Sequence, residues 1–140
     1  MQSFKWTKAH AVFLPQVDAE HRNLYRLAED LHLAVESGAK PARVQDGMRL
    51  LIEGLDEHFS HEERLMKSAG CESYEWHKRQ HDTLRRRAKR CAAAYAKGDR
   101  TAPETFLGYL AGWFRDHVSM TDRMMSSQLR NRDRLSASAS

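Results

Sequence analysis

Apolar positions recur at alternating steps of three and four along four stretches of the chain, the period of a helix that buries one face. The first stripe reads His21, Leu24, Tyr25, Ala28, Leu31, His32 and Val35. Its helix is predicted to start at Asp18, a good N-cap residue, and to stop near Gly38. Pro41 suits the first turn of a second helix, whose buried face is Leu51, Leu55, His58, Glu62 and Leu65, with Gly70 as its end. Ser73 can cap a third helix, with the stripe Tyr74, His77, His81, Leu84, Ala88, Cys91 and Tyr95, closed by Gly98. Thr101 and Glu104 have the spacing of a capping box, with Pro103 in the first turn. The fourth stripe then runs through Phe106, Leu110, Trp113, His117, Met120 and Met124. Nothing alternates with the period of a strand. Four helices joined by short turns pack as antiparallel neighbours, so the expected fold is all-α, an up-down-up-down antiparallel four-helix bundle.

Residues 1–17, with Phe4, Trp6, Phe13 and Pro15, are too few for a domain and too aromatic for a free tail. They are expected to form an arm that packs on the bundle of residues 18–130. The stretch 131–140 ends in low-complexity Ser and Ala and is expected to be disordered.

Composition changes this picture little. With 140 residues and 41% apolar content, the chain suits one domain. No apolar run approaches the ~18 residues of a membrane span, and the N-terminal residues lack an apolar signal core, so no membrane insertion and a cytoplasmic location are expected. Cys71 and Cys91 flank the third helix well over ~20 Å apart at ~1.5 Å per residue, too far for a bridge, and read as reduced thiols. The net charge of +4 gathers on Lys78, Arg79, Arg85, Arg86, Arg87, Lys89 and Arg90, and on Arg130, Arg132 and Arg134. No aromatic residue is interleaved and no recognition motif accompanies the charges, so a solvated helix face is expected and nucleic-acid binding is not.

The histidines change it most. Besides His32, five of the eight fall on buried stripes, with two carboxylates beside them. His58 and Glu62 are four apart on the second helix, and His77 and His81 four apart on the third, so each pair stacks on one face. His21 contributes from the first helix, and His117 and Asp122 from the fourth. Burying these groups without partners is costly, and a metal removes the cost, because imidazoles act as neutral ligands and carboxylates offset cationic charge. Five imidazoles and two carboxylates without thiolates suit iron, and less well zinc or manganese. Seven ligands exceed one ion and suit two ions bridged by the carboxylates. His117 and Asp122 are five apart, ~140–150° around an ideal helix, so they would not aim at one point. A side-on aspartate or a π-type bulge would reconcile them.

The stretches Val17-Asp-Ala-Glu-His21, His58-Phe-Ser-His-Glu62-Glu-Arg-Leu-Met66, His77-Lys-Arg-Gln-His81 and His117-Val-Ser-Met-Thr-Asp122, with Phe4 and Trp6 in the arm, resemble the hemerythrins, specifically the single-domain bacterial ones. The resemblance runs from about residue 4 to residue 129. It implies two irons with an oxo or hydroxo bridge. His77, His81 and His117 would hold one iron, His21 and His58 the other, and Glu62 and Asp122 would bridge them. The two-histidine iron would keep a position open for oxygen, and a pocket of Leu24, Tyr25, Trp113 and Phe114 would enclose it. Phe114 stands where the family places a bulky apolar residue beside the oxygen, and Glu20 where it often has glutamine.

His61 is expected at the surface or just outside the ligands, and His10 exposed in the arm. His32 lies ~16 Å along the axis from His21 and belongs to no cluster. Glu29 and His32 form a single Glu-x-x-His, whereas carboxylate-rich di-iron oxidases need two. The function implied is reversible oxygen binding for storage, transport or delivery. The alternative is a sensor of oxygen, redox state or nitric oxide that signals to an unidentified protein partner. An enzyme would need a proton-delivering group near the open iron. None is evident, and no enzymatic activity is expected.

Overall fold

The computed structural model describes residues 4–139, with side chains through Asp133; residues 1–3 of the arm and Ser140 lie outside it. Four long helical segments follow one another: α1 (Pro15–Glu36), α2 (Pro41–Ala69), α3 (Tyr74–Ala96), and a fourth made of α4 (Ala102–Asp116), a π-helical turn (His117–Asp122) and α5 (Arg123–Ala139). Each packs on the next, and α1 closes the ring against α4. This is the expected up-down-up-down bundle, and no strand occurs among the described residues.

The connections follow from the turn residues. Gly38, Gly70 and Gly98 adopt φ of 71°, 66° and 106°, the left-handed conformation that lets the last carbonyls of α1, α2 and α3 find donors. After α2, for instance, Cys71 N–H returns to the Met66 carbonyl at 3.0 Å.

Three start signals act differently from expectation. Helix α1 begins at Pro15, three residues before Asp18, because proline is suited to the first turn. Asp18 is buried, and its carboxylate accepts the N–H groups of Val12 (2.8 Å) and Phe13 (3.2 Å), tying the arm to α1. Ser73 precedes α3, yet its hydroxyl donates to Gln128 Oε1 on α5 at 3.0 Å. Thr101 makes no capping box, since its hydroxyl donates to Asp99 Oδ1 at 2.8 Å. Side-chain oxygens aimed at helix ends were claimed by nearer polar partners.

The arm lies on the bundle. Phe4 is buried edge-on to Phe114 at 6.2 Å, and its N–H donates to Glu29 at 2.7 Å, which occupies Glu29 as an anchor. The Val12 carbonyl accepts from Ser126 and Arg130 of α5. Backbone residues 131–139 continue α5 where the Ser/Ala-rich sequence predicts disorder. No glycine or proline follows Gly112 to stop the helix.

The interior is divided along the bundle axis. A large apolar core gathers Leu24–Leu31 of α1, Val44–Phe59 of α2, Leu84–Tyr95 of α3 and Ala102–Phe114 of α4. A smaller one joins Val12, Val17, Met66, Val118, Met125 and Leu129. His21 on α1 and Glu62 on α2 fall between the two, and on the fourth segment His117 follows Phe114 of the one and precedes Val118 of the other. Cys71 and Cys91 are free thiols, and no described helix is long and apolar enough to cross a membrane.

Candidate metal centre

The π turn decides the geometry of the fourth segment. It inserts one residue into the helical phase, so His117 and Asp122, five apart, both point inward. At its end and beyond it the buried positions become Thr121, Asp122, Met125 and Ser126. Met120 and Met124, expected on the seam, are 70% and 40% exposed, because an uninterrupted 3.6-residue phase places the seam one residue too early.

All seven candidate ligands converge in one buried layer. Asp122 spans it: Oδ2 lies 3.2 Å from His21 Nε2, while Oδ1 lies 3.0 Å from both His77 Nε2 and His117 Nε2. Glu62 Oε1 lies 3.3 Å from His58 Nε2, 3.2 Å from His81 Nε2 and 3.7 Å from His77 Nε2. The atoms form two overlapping groups, one of His77, His81 and His117 and one of His21 and His58, with Glu62 and Asp122 belonging to both.

The charges are those of a site built around cations. Burial opposes ionisation of Glu62 and Asp122, yet the surrounding imidazoles hold both carboxyls well below the usual range. Burial also lowers the affinity of His58 and His77 for protons, but the carboxylates outweigh it and raise them to about 10 and about 9. For His117 burial prevails, and its pKa falls.

Six atoms facing the centre have no hydrogen-bond partner: both oxygens of Glu62, Nε2 of His77, His81 and His117, and Oδ1 of Asp122. At about 1–3 kcal/mol for each unsatisfied buried polar group, their sum is comparable to the whole stability of a domain, roughly 5–15 kcal/mol. His21 and His58 also face each other through Nε2 at 3.0 Å, and two lone pairs repel unless a proton or cation lies between. The donor set therefore fits bound metal.

Three of the five far nitrogens are held in a repeating pattern, while Nδ1 of His21 and of His77 have no hydrogen-bond partner. Glu20, beside His21 on α1, accepts from His58 Nδ1 on α2 at 2.6 Å. Glu63, beside Glu62 on α2, accepts from His81 Nδ1 on α3 at 2.8 Å. Gln80, beside His81 on α3, accepts from His117 Nδ1 on α4's continuation at 2.7 Å. Each fixes the ring so that Nε2 points inward and raises its donor strength. Arg85 in turn binds Glu63 at 2.8 Å.

The comparisons with known proteins agree with this geometry. The family model described as the hemerythrin HHE cation binding domain matches residues 12–129. The chain belongs to the hemerythrin family. Among hemerythrin relatives it resembles a bacteriohemerythrin of Aquifex aeolicus (30% identity, covering 81% of this chain and 87% of the relative) and a myohemerythrin of Theromyzon tessulatum (25%, 86% and 89%). Two solved hemerythrin structures, variants with one leucine replaced by tyrosine or by alanine, share its fold with a TM-score of 0.85. Each is 21% identical and covers 92% of this chain and 98% of the other.

Around this hemerythrin layer, Leu24, Tyr25 and Phe114 are buried, with the rings of Tyr25 and Phe114 stacked at 4.8 Å. Burial and the charge of Asp122 push the Tyr25 phenol up to about 12. Trp113 is half-buried and lies flat on His117, centroids 4.1 Å apart at 14°. Phe59, absent from the expected stripe, stacks on His81 in the same way, at 4.1 Å and 8°. His61 is half-buried outside the cluster and bonds Glu20 at 2.7 Å. His10 is half-buried rather than exposed, its ring 5.2 Å from Tyr25. His32 is buried away from the centre and pairs with Glu36 at 3.1 Å. Sequence reading missed Glu20, Glu63, Gln80 and Arg85 as supporting groups. For Glu20, Glu63 and Gln80 the available signal was their position beside a ligand, ~100° off its face and thus turned toward the next helix.

Proposed function

We propose that this hemerythrin-family chain binds molecular oxygen reversibly at a pair of irons joined by an oxo or hydroxo bridge, serving oxygen storage, transport or delivery. The observation that carries the reading is the buried layer of five imidazoles and two carboxylates, divided three to two with both carboxylates shared. His77, His81 and His117 would hold one iron and His21 and His58 the other, with Glu62 and Asp122 between. When bound, a pair of irons would supply the electrons by which oxygen is held and given back.

The chain's own residues favour binding over consumption. Leu24, Phe114 and the Tyr25 ring are buried beside the layer, with the rings of Tyr25 and Phe114 stacked, and give that side an apolar lining. With its pKa near 12, Tyr25 keeps its proton at neutral pH, so the phenol can donate a hydrogen bond but is a poor acid. Glu20, Glu63 and Gln80 each hold an imidazole proton on the side away from the centre, which leaves the inward nitrogens free for metal. The reading is of a binding protein rather than a catalyst.

The test is the visible spectrum of the iron-loaded protein, reduced without air, exposed to oxygen and then purged. A charge-transfer band that rises with oxygen and fades on purging is expected. A permanently oxidised spectrum after one exposure would remove the carrier reading.

A further inference from the structure

A groove of about 550 Å³ opens between α3 and the fourth helical segment, and His117 is among the residues that line it. Its size is within the usual range for a small-molecule site. Three aromatic side chains line it, Trp76, Tyr109 and Trp113, and Trp76 is 42% exposed. Its floor is bare helix. Gly108 and Gly112, one turn apart on α4, both line it, although glycine is the poorest helix former after proline. Neither is required by packing. A Cβ on Gly108 would meet nothing within 4 Å, and one on Gly112 only Arg115 at 3.7 Å. What the two glycines do is leave the groove open and flat beside Trp113.

Two features connect the groove to the centre. Trp113 forms a wall and lies flat on the His117 imidazole. Gln80 also lines the groove; its Oε1 is taken by His117 Nδ1 and the Thr121 hydroxyl, which leaves its amide N–H groups to donate. Arg87 lies over the Tyr109 ring at 4.1 Å, so the indoles of Trp76 and Trp113 are the walls left for stacking; with a bare floor and a free amide donor they suit a planar ring system bearing carbonyl oxygens. The contact with a metal ligand suits one that carries electrons.

We propose that the groove binds a planar aromatic electron carrier with ring carbonyls, of the isoalloxazine or quinone class, and that its reduced form restores the oxidised centre through Trp113 and His117. The second half rests on the di-iron reading above. Oxygen binding draws electrons from the metals, so a centre that has lost them permanently needs a donor. The balance is simple. The dihydro form of the carrier gives up two electrons and two protons, two ferric ions become ferrous, and the protons leave to water at the groove mouth beside the exposed Asp116.

The test uses the full chain with riboflavin 5′-phosphate and menadione as probes. In the metal-free protein, either probe is expected to quench tryptophan fluorescence saturably, and whichever does so assigns the carrier's class. Gly108→Leu should raise the Kd about tenfold or more by filling the floor, the equivalent of ~1.4 kcal/mol. Gly112→Leu should act alike, and both changes favour helix, so far-UV circular dichroism should stay native. In the ferric iron-loaded protein without air, the reduced probe should bleach the ferric absorption at a rate that saturates with probe and falls in both variants. Absence of saturable quenching by either probe, or quenching unchanged by both variants, would overturn the site. Binding without bleaching would overturn the electron role. A chain that takes up no iron yet binds the probe would remove the di-iron reading and leave the groove assigned.

Discussion

At the scale of single residues, the layer separates groups that would contact metal from groups that aim them. Glu62 is wholly buried and lies within 3.7 Å of three imidazoles from two helices. Glu62→Ala should therefore remove a shared ligand, and iron per chain, measured after dialysis, should fall to background. Glu63→Ala removes no inward-facing group, only the acceptor shared by His81 Nδ1 and Arg85. It should keep both irons at saturation but weaken metal affinity about 10–100-fold, the usual effect of losing a partner behind a ligand. If the two variants bound iron equally well, the division between them would be wrong. Their legibility in sequence follows the same division. His58, Glu62, His77 and His81 were readable because polar groups stacked four apart on an apolar stripe are costly to bury unless they share a partner. Glu63, Glu20 and Gln80 were not, because a half-exposed polar residue beside a ligand looks like any solvated position until the neighbouring helix is in place.

At the scale of elements, the fourth helix is where periodicity ran out. Its seam was legible through His117, and the five-residue gap to Asp122 signalled a departure without saying which kind. The π turn adds one residue, so everything after it is one position out of phase with the pattern before it. Local propensity carries no such information, because the turn is set by what Asp122 must reach. Deleting the exposed Ser119 converts the π turn to α and leaves Met125 and Leu129 facing the smaller core. Deleting the exposed Arg123, just past the turn, keeps the π turn but rotates those residues by ~100° toward solvent. Thermal melting of the metal-free proteins should show Tm near that of the parent for the first deletion and a clear loss for the second. The reverse order would mean that the π turn does not set the phase of α5.

At the scale of the whole molecule, the layer links all four helical segments between two apolar cores, so its charge state bears on the stability of the bundle. Without metal, two sets of groups act in opposite directions. Glu62 and Asp122 are held well below their unfolded values, so their contribution is present above about pH 4 and lost as pH falls. His58 and His77 are raised to about 10 and about 9, so theirs is complete below the unfolded value of ~6.5 and lost as pH rises through 9 and 10. His117, lowered by burial, adds to the loss on the acid side. The metal-free protein should therefore be most stable near pH 5–6.5 and weaken between pH 6.5 and 9. Metal reverses the slope, because it replaces those protons and binds more tightly as the imidazoles lose them. Tm measured at pH 6 and pH 9 should fall with pH for the metal-free protein and hold or rise for the iron-loaded one. A metal-free Tm that rose over that interval would mean that the imidazoles are not held protonated by the buried carboxylates, and the cluster would then need another source of positive charge even before metal arrives.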